Sequence, residues 1–215
     1  TVEEAAAAHD VAPAQIAKTP KLVTLLARHM ATTTAGEAME FESDRSYDWD
    51  RYLQIAADKT APLLTAPLQG VAIMALDARA EIVVASYFRY LGKAYQIAND
   101  IMNFDGKDGA KSIGSDLARR APNAVTLCFR DCLSAPEQTE FDGWYEAGDN
   151  AALADWQCAI RHSDAMLRAG RCMLSILDDA ETKAESLSVE IYEVISPVHA
   201  LLKRVCLNSV KHLKV

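Results

Sequence analysis

No apolar run in this sequence approaches the ~20 residues that a helix needs to cross a bilayer, and its first residues lack the basic, apolar and small-residue series of a secretory signal. The chain opens on Thr1 and reads as soluble and cytoplasmic. Positive charge is also scarce: 22 Lys and Arg against 30 Asp and Glu give a net charge of -8 and a pI near 5.1. Neutralising a nucleic-acid backbone takes a cationic surplus, so a nucleic-acid partner is excluded on charge. The five cysteines, at 128, 132, 158, 172 and 206, are odd in number and include no C-x-x-C pair. That pattern argues against a disulfide framework and a zinc site, and for buried thiols in a reducing compartment. Nine glycines and seven prolines exclude collagen and low-complexity disorder.

What is present is half hydrophobic and 24% charged over 215 residues, enough to bury one real core. Helical spacing dominates, with no alternating β pattern and no internal repeat. Thr19-Pro20 reads as a cap and a first-turn proline before a helix running to about Phe41. Asp48 is placed to cap the next helix, which Pro67 and Gly70 punctuate. Residues 77–101 form the longest apolar window, apolar almost all round, as suits the middle of a bundle. Phe104 to Ala124 carries glycines, mixed charges and Pro122, and reads as a long functional loop. Short helices over about 124–133 and 137–146 follow, then a long one over 151–184 bent near Gly170, then one over 188–211. The fold class is all-α.

The chemistry concentrates around residues 92–117. Helical spacing sets Gln96, Asn99, Asp100 and Asn103 on one face, so their polar atoms converge at the end of the apolar helix. Oxygen donors of this kind suit Mg²⁺, although only Asp100 is a carboxylate. Lys107 and Lys111, among Gly106, Gly109 and Gly114, could approach and neutralise a diphosphate. The bland alternative is a polar helix end with a solvated loop. His9, His29, His162, His199 and His212 show no metal-ligand spacing, and Asp178-Asp179 reads as a solvated helix face. The aromatic residues of the apolar window read as core.

Gly92-Lys-Ala-Tyr-Gln-Ile-Ala-Asn-Asp-Ile-Met-Asn103, followed by Lys111, Gly114, Asp116 and Leu117, resembles the second aspartate-rich region of trans-isoprenyl diphosphate synthases, whose pattern is G-x-A-F-Q-I-x-D-D-x-x-D and then G-K-x-x-G-x-D-L. Upstream, Gly36-Glu37 stands where that family has Gly-Gln, and Lys59-Thr60-Ala61 matches its Lys-Thr. The resemblance runs from about Gly36 to Leu117. It implies an isoprenoid-synthase-like antiparallel helical bundle, one domain over residues 1–215. It also implies Lys59, Thr60 and Gln96 as catalytic residues, Lys59, Lys107 and Lys111 as diphosphate ligands, and Asp100, Asn99 and Asn103 around Mg²⁺ carried by the substrate.

Two departures alter the expectation. Asparagines replace two of the three aspartates of the second region, and nothing in residues 1–35 resembles the family's first aspartate-rich motif, which holds the allylic diphosphate. The resemblance therefore implies an accessory subunit of a prenyl diphosphate synthase, acting on isoprenyl diphosphates beside a motif-complete partner or in a homodimer, with the apolar window 82–91 as contact surface. The alternatives are a chain whose preceding helices are not represented, and a stand-alone atypical prenyltransferase or terpene synthase.

Overall fold

The computed structural model describes residues 16–41, 48–75, 78–106 and 114–213, and no strand occurs among them. The helices in chain order are α1 (Thr19–Met39), α2 (Trp49–Ala75), α3 (Ala78–Asp105), α4 (Ser115–Arg119), α5 (Ala124–Arg130), α6 (Ala135–Ala147), α7 (Leu153–His162), α8 (Ala165–Ala184) and α9 (Val189–Val210).

Helix α3 is the axis of the bundle. It packs on α2, α8 and α9, and through its C-terminal half on α4 and α5, while α1 packs on α2. Tyr87, Phe88, Leu91, Ala94, Ile97, Ala98, Ile101 and Phe104 are all fully buried. The apolar character predicted from the sequence therefore has its cause in this chain's own core. Within the window 82–91 expected as a contact surface, Val84, Tyr87, Phe88 and Leu91 are covered by neighbouring helices, and of its large apolar side chains Ile82 alone is strongly exposed.

Two glycines set the spacing of the first three helices. A Cβ at Gly36 of α1 would stand 2.7 Å from the Lys59 backbone nitrogen and 2.9 Å from the Asp58 carbonyl carbon. A Cβ at Gly92 of α3 would stand 3.0 Å from the Ala61 nitrogen and 3.2 Å from its Cα. Helix α2 is thus held between α1 and α3 at Lys59-Thr60-Ala61, at a distance only hydrogen side chains permit.

Several element ends differ from expectation for identifiable reasons. Lys18, one residue earlier than Thr19, is the N-cap of α1, and Pro20 lies in the first turn. Helix α2 continues through Pro62, Pro67 and Gly70. Each proline leaves without a helical partner the carbonyl four residues back, at Asp58 and Leu63, and packing on both flanks by α1 and α3 offsets that loss. The single bent helix expected over 151–184 is two helices. They part at Ser163, an extended residue whose hydroxyl accepts from the Ala165 N–H at 3.2 Å, and Gly170 lies buried within unbroken α8. Helix α6 begins with a capping box in which Glu137 accepts from the Ser134 N–H at 2.8 Å, and Ser188, expected as the first residue of the last helix, is its N-cap, accepting from the Ile191 N–H. No helix among the described residues is long and apolar enough to cross a membrane.

Candidate functional site

The close crossing at Gly36 and Gly92 delivers Lys59 and Thr60 to opposite neighbours. Lys59 turns toward α1, where its Nζ lies 2.7 Å from Glu40 Oε1 and 3.4 Å from Glu37 Oε2. Partial burial works against its charge, but the hydrogen bond and charge of Glu40, then those of Glu37, outweigh it and raise the lysine pKa. Thr60 turns toward α3 and donates to Gln96 Oε1 at 3.4 Å. Gln96 in turn donates from Nε2 to Asp100 Oδ1 at 3.2 Å, one helical turn on.

Asp100 is the centre of the polar network. It is 1% exposed. The Tyr52 hydroxyl, from the first turn of α2, and the Ala124 backbone N–H, the first amide of α5, each donate to Oδ2 at 2.7 Å. Burial pushes the carboxyl pKa up to about 7, with the charge of Asp116 adding to the rise and the three donors opposing it. The Tyr52 hydroxyl is itself raised well above its ordinary range by burial and by Asp100. Both oxygens of Asp100 therefore face protein donors, joining α2, α3 and α5.

Asn103 is turned the other way, to the chain that follows α3. Its amide nitrogen donates to Ser115 Oγ at 2.8 Å, its side-chain oxygen accepts from the Asp116 N–H at 3.4 Å, and its backbone carbonyl accepts from Gly114 at 3.0 Å. Gly114 has φ +66°, a left-handed conformation, and a Cβ there would stand 3.1 Å from the Gln157 amide. Asp116 receives the Asn123 amide at 3.2 Å and pairs with Arg119 at 2.6 Å. Asn123 also caps α5, accepting from the Val125 and Thr126 N–H groups.

The predicted residues thus fall into four sets. Thr60, Gln96 and Asp100 share one network through α2 and α3, Lys59 is turned away from it to Glu40 and Glu37, Asn103 belongs to the closure of the following loop, and Asn99 is half-buried with no side-chain hydrogen bond among the described residues. Lys107 and Lys111 lie outside the described residues. The donor set does not suit a Mg²⁺ site. Its one carboxylate is buried with three donors on it, the Asn103 amide is committed to the loop, and no group of three His, Cys, Asp or Glu among the described residues is arranged to hold a metal. Asp100 and Asn103 turn to different partners. Tyr52, Glu40 and Asn123 were not among the residues the sequence pointed to. Of these, only Asn123 carried a local signal, an N-cap residue just before an apolar helix. A separate cleft of about 250 Å³ between α5 and α6 is lined by Asn123, Thr126, Arg130, Phe141, Asp142 and Tyr145 among others, and by none of the predicted site residues.

The polyprenyl synthetase family model matches residues 3–161, about three quarters of the chain. The chain belongs to the polyprenyl synthetase family. A solanesyl diphosphate synthase of Arabidopsis thaliana is 33% identical over 101 residues, which are 46% of this chain and 24% of the plant protein. Among solved structures, an Arabidopsis medium/long-chain prenyl pyrophosphate synthase superposes with a TM-score of 0.70 at 24% identity, over 88% of this chain and 65% of the other. A decaprenyl diphosphate synthase from Rhodobacter capsulatus gives 0.73 at 19% identity, over 88% and 60%. These likenesses show the all-α isoprenoid synthase fold. The chain spans about a quarter of the length of that curated relative and less than two thirds of these two solved structures.

Proposed function

We propose that this member of the polyprenyl synthetase family is an accessory subunit of a trans-prenyl diphosphate synthase, shaping and supporting the site of a motif-complete partner that condenses isopentenyl diphosphate with an allylic diphosphate. The observation that carries the reading is the state of Asp100: the region's one carboxylate is enclosed by Tyr52, Ala124 and Gln96 and works as a clasp between helices. Ionising an allylic diphosphate requires charge stabilisation where the leaving diphosphate forms. Here Lys59, which would meet that diphosphate, is paired with Glu40 and Glu37, so the local cluster of three charges is net negative.

In this reading the chain's own residues hold and orient. Thr60 and Gln96 keep α2 and α3 in register beside Lys59, and Asn99 is the amide left to face a ligand. Mg²⁺ and the carboxylates that hold it come from the partner subunit.

Calorimetric titration of farnesyl diphosphate, with and without Mg²⁺, into the chain alone is the test. The accessory reading expects no Mg²⁺-dependent binding tighter than that of a Lys59→Ala variant. Strong Mg²⁺-dependent binding lost in Lys59→Ala and Asn99→Ala would instead establish the rival, a stand-alone prenyltransferase or terpene synthase.

A further inference from the structure

Helix α9 is apolar on both of its sides. Toward α3 and α8 it buries Ile195, Leu202, Cys206 and Val210. On the opposite side Val194, Leu201 and Val198 are 63%, 48% and 39% exposed. Positions 190, 194, 197, 201 and 204 follow one another at alternating steps of four and three, so Glu190, Val194, Pro197, Leu201 and Arg204, all exposed, form one seam along the outside of the helix. Pro197 does not break it. The carbonyl that the proline leaves without a helical donor, at Glu193, accepts from the Ser196 hydroxyl at 3.0 Å, and α9 runs on.

Exposed apolar side chains in register along a helix make a surface for a partner, and the charges at the two ends of the seam say which partner fits. The N-terminal end is acidic, with Glu190 and Glu193 exposed, and the C-terminal end is basic, with Arg204 exposed beside Lys203. Lys203 is paired with Glu181 of α8, whereas Glu190, Glu193 and Arg204 have no ion-pair partner among the described residues.

We propose that the seam is a contact between two copies of this chain, their α9 helices lying antiparallel about a two-fold axis near Val198. Antiparallel pairing sets Glu190 and Glu193 of each copy against Arg204 of the other, and it encloses Val194, Val198 and Leu201 of both copies between those charged ends. Parallel pairing would set acid against acid at one end and base against base at the other. A partner helix of one charge sign would be repelled at one end. The seam faces away from α3 and its polar network, so the inference is independent of the accessory reading.

Sedimentation equilibrium of the purified full chain, over a wide range of concentration, is the test. The expected mass tends to twice the 23.5 kDa of one chain. It is expected to fall to that of one chain in Leu201→Asp, and Arg204→Glu is expected to weaken association by at least about tenfold. Adding Glu190→Lys and Glu193→Lys to Arg204→Glu reverses both ends together and is expected to restore the double mass. These side chains lie on the exposed side of α9, so circular dichroism is expected to read the same helix content in every variant. The charge-reversed chain leaves the apolar seam untouched and keeps the proposal decidable if Leu201→Asp does not fold. A single-chain mass at every concentration, a double mass that neither Leu201→Asp nor Arg204→Glu lowers, or a charge-reversed chain that stays dissociated would each overturn the proposal. So would a chain that is single by itself and needs Leu201 to bind a motif-complete synthase subunit, because the seam would then belong to a different protein.

Discussion

The Tyr52 hydroxyl, at the start of α2, donates a 2.7 Å hydrogen bond to Oδ2 of Asp100, near the end of α3, and both residues are almost completely buried. A buried carboxylate is tolerated only where its oxygens are satisfied, and this pair is half of that satisfaction at Oδ2, the Ala124 N–H being the other half. Tyr52→Phe keeps the ring and removes the donor. It is expected to lower unfolding stability by about 1–3 kcal/mol, and Asp100→Ala, which leaves three donors unmatched, by more. Urea unfolding followed by circular dichroism measures both. Equal stability of Tyr52→Phe and the parent would mean that the bond contributes nothing.

Titration of Asp100 gives stability a pH dependence of known sign. Burial raises the folded pKa to about 7 from an ordinary value of 3.8. Between those values the folded chain keeps a proton that the unfolded chain has lost, so the contribution is fully present below about pH 4 and is lost as pH rises through about 7. The slope from this one group reaches at most about 1.4 kcal/mol per pH unit. Asp100→Asn is expected to flatten the urea midpoint between pH 5 and 7; an unchanged slope would assign the dependence to other groups.

His199 works in the opposite direction. Its Nδ1 is hydrogen-bonded with the buried Tyr87 hydroxyl, and burial lowers its pKa, with the nearby charge of Glu181 opposing and that of Lys203 adding. Stability from the neutral ring is present above pH 6.5 and is lost as pH falls through the lowered folded value. A His199→Gln chain is expected to keep less of the acid-side decline, because the group whose protonation burial opposes is gone. The check is a pair of thermal melts at pH 7.5 and pH 5.

The glycines separate by what surrounds them. Gly36→Ala would drive a Cβ into the Lys59 and Asp58 backbone at under 3 Å, so the α1–α2 crossing must open, with a loss on the order of 1–3 kcal/mol. Gly143, on the exposed side of α6, has nothing within 4 Å. Gly143→Ala is expected to stabilise by about 0.5–1 kcal/mol through helix propensity. Thermal melts that ranked the two alike would contradict the close crossing.

The helices were legible in the sequence because their apolar spacing is a property of each segment. The apolar character of α3 almost all round marked it as the central helix, and the burial of Tyr87, Phe88, Leu91, Ile97, Ile101 and Phe104 agrees with it. The breaks were less legible. Pro67 and Gly70 end a helix in isolation, but α2 is packed on both sides and runs on, whereas the real break at Ser163 carries only a weak local signal. At the candidate site, the i,i+4 relation of Gln96 and Asp100 was visible as spacing and is present as a hydrogen bond. What spacing could not give was direction. Whether Asp100 opens on solvent or turns inward depends on Tyr52, 48 residues earlier, and on the cap at Asn123, and neither is local to it.

If the chain is an accessory subunit, as proposed, it does not carry out prenyl transfer alone. The most direct measurement is conversion of labelled isopentenyl diphosphate with farnesyl diphosphate and Mg²⁺, by the purified chain and by the same chain co-purified with a motif-complete synthase subunit. No product is expected from the chain alone, product is expected from the mixed complex, and the complex is expected to stay active when this chain carries Lys59→Ala. Mg²⁺-dependent product from the lone chain, abolished by Lys59→Ala, would contradict the accessory reading.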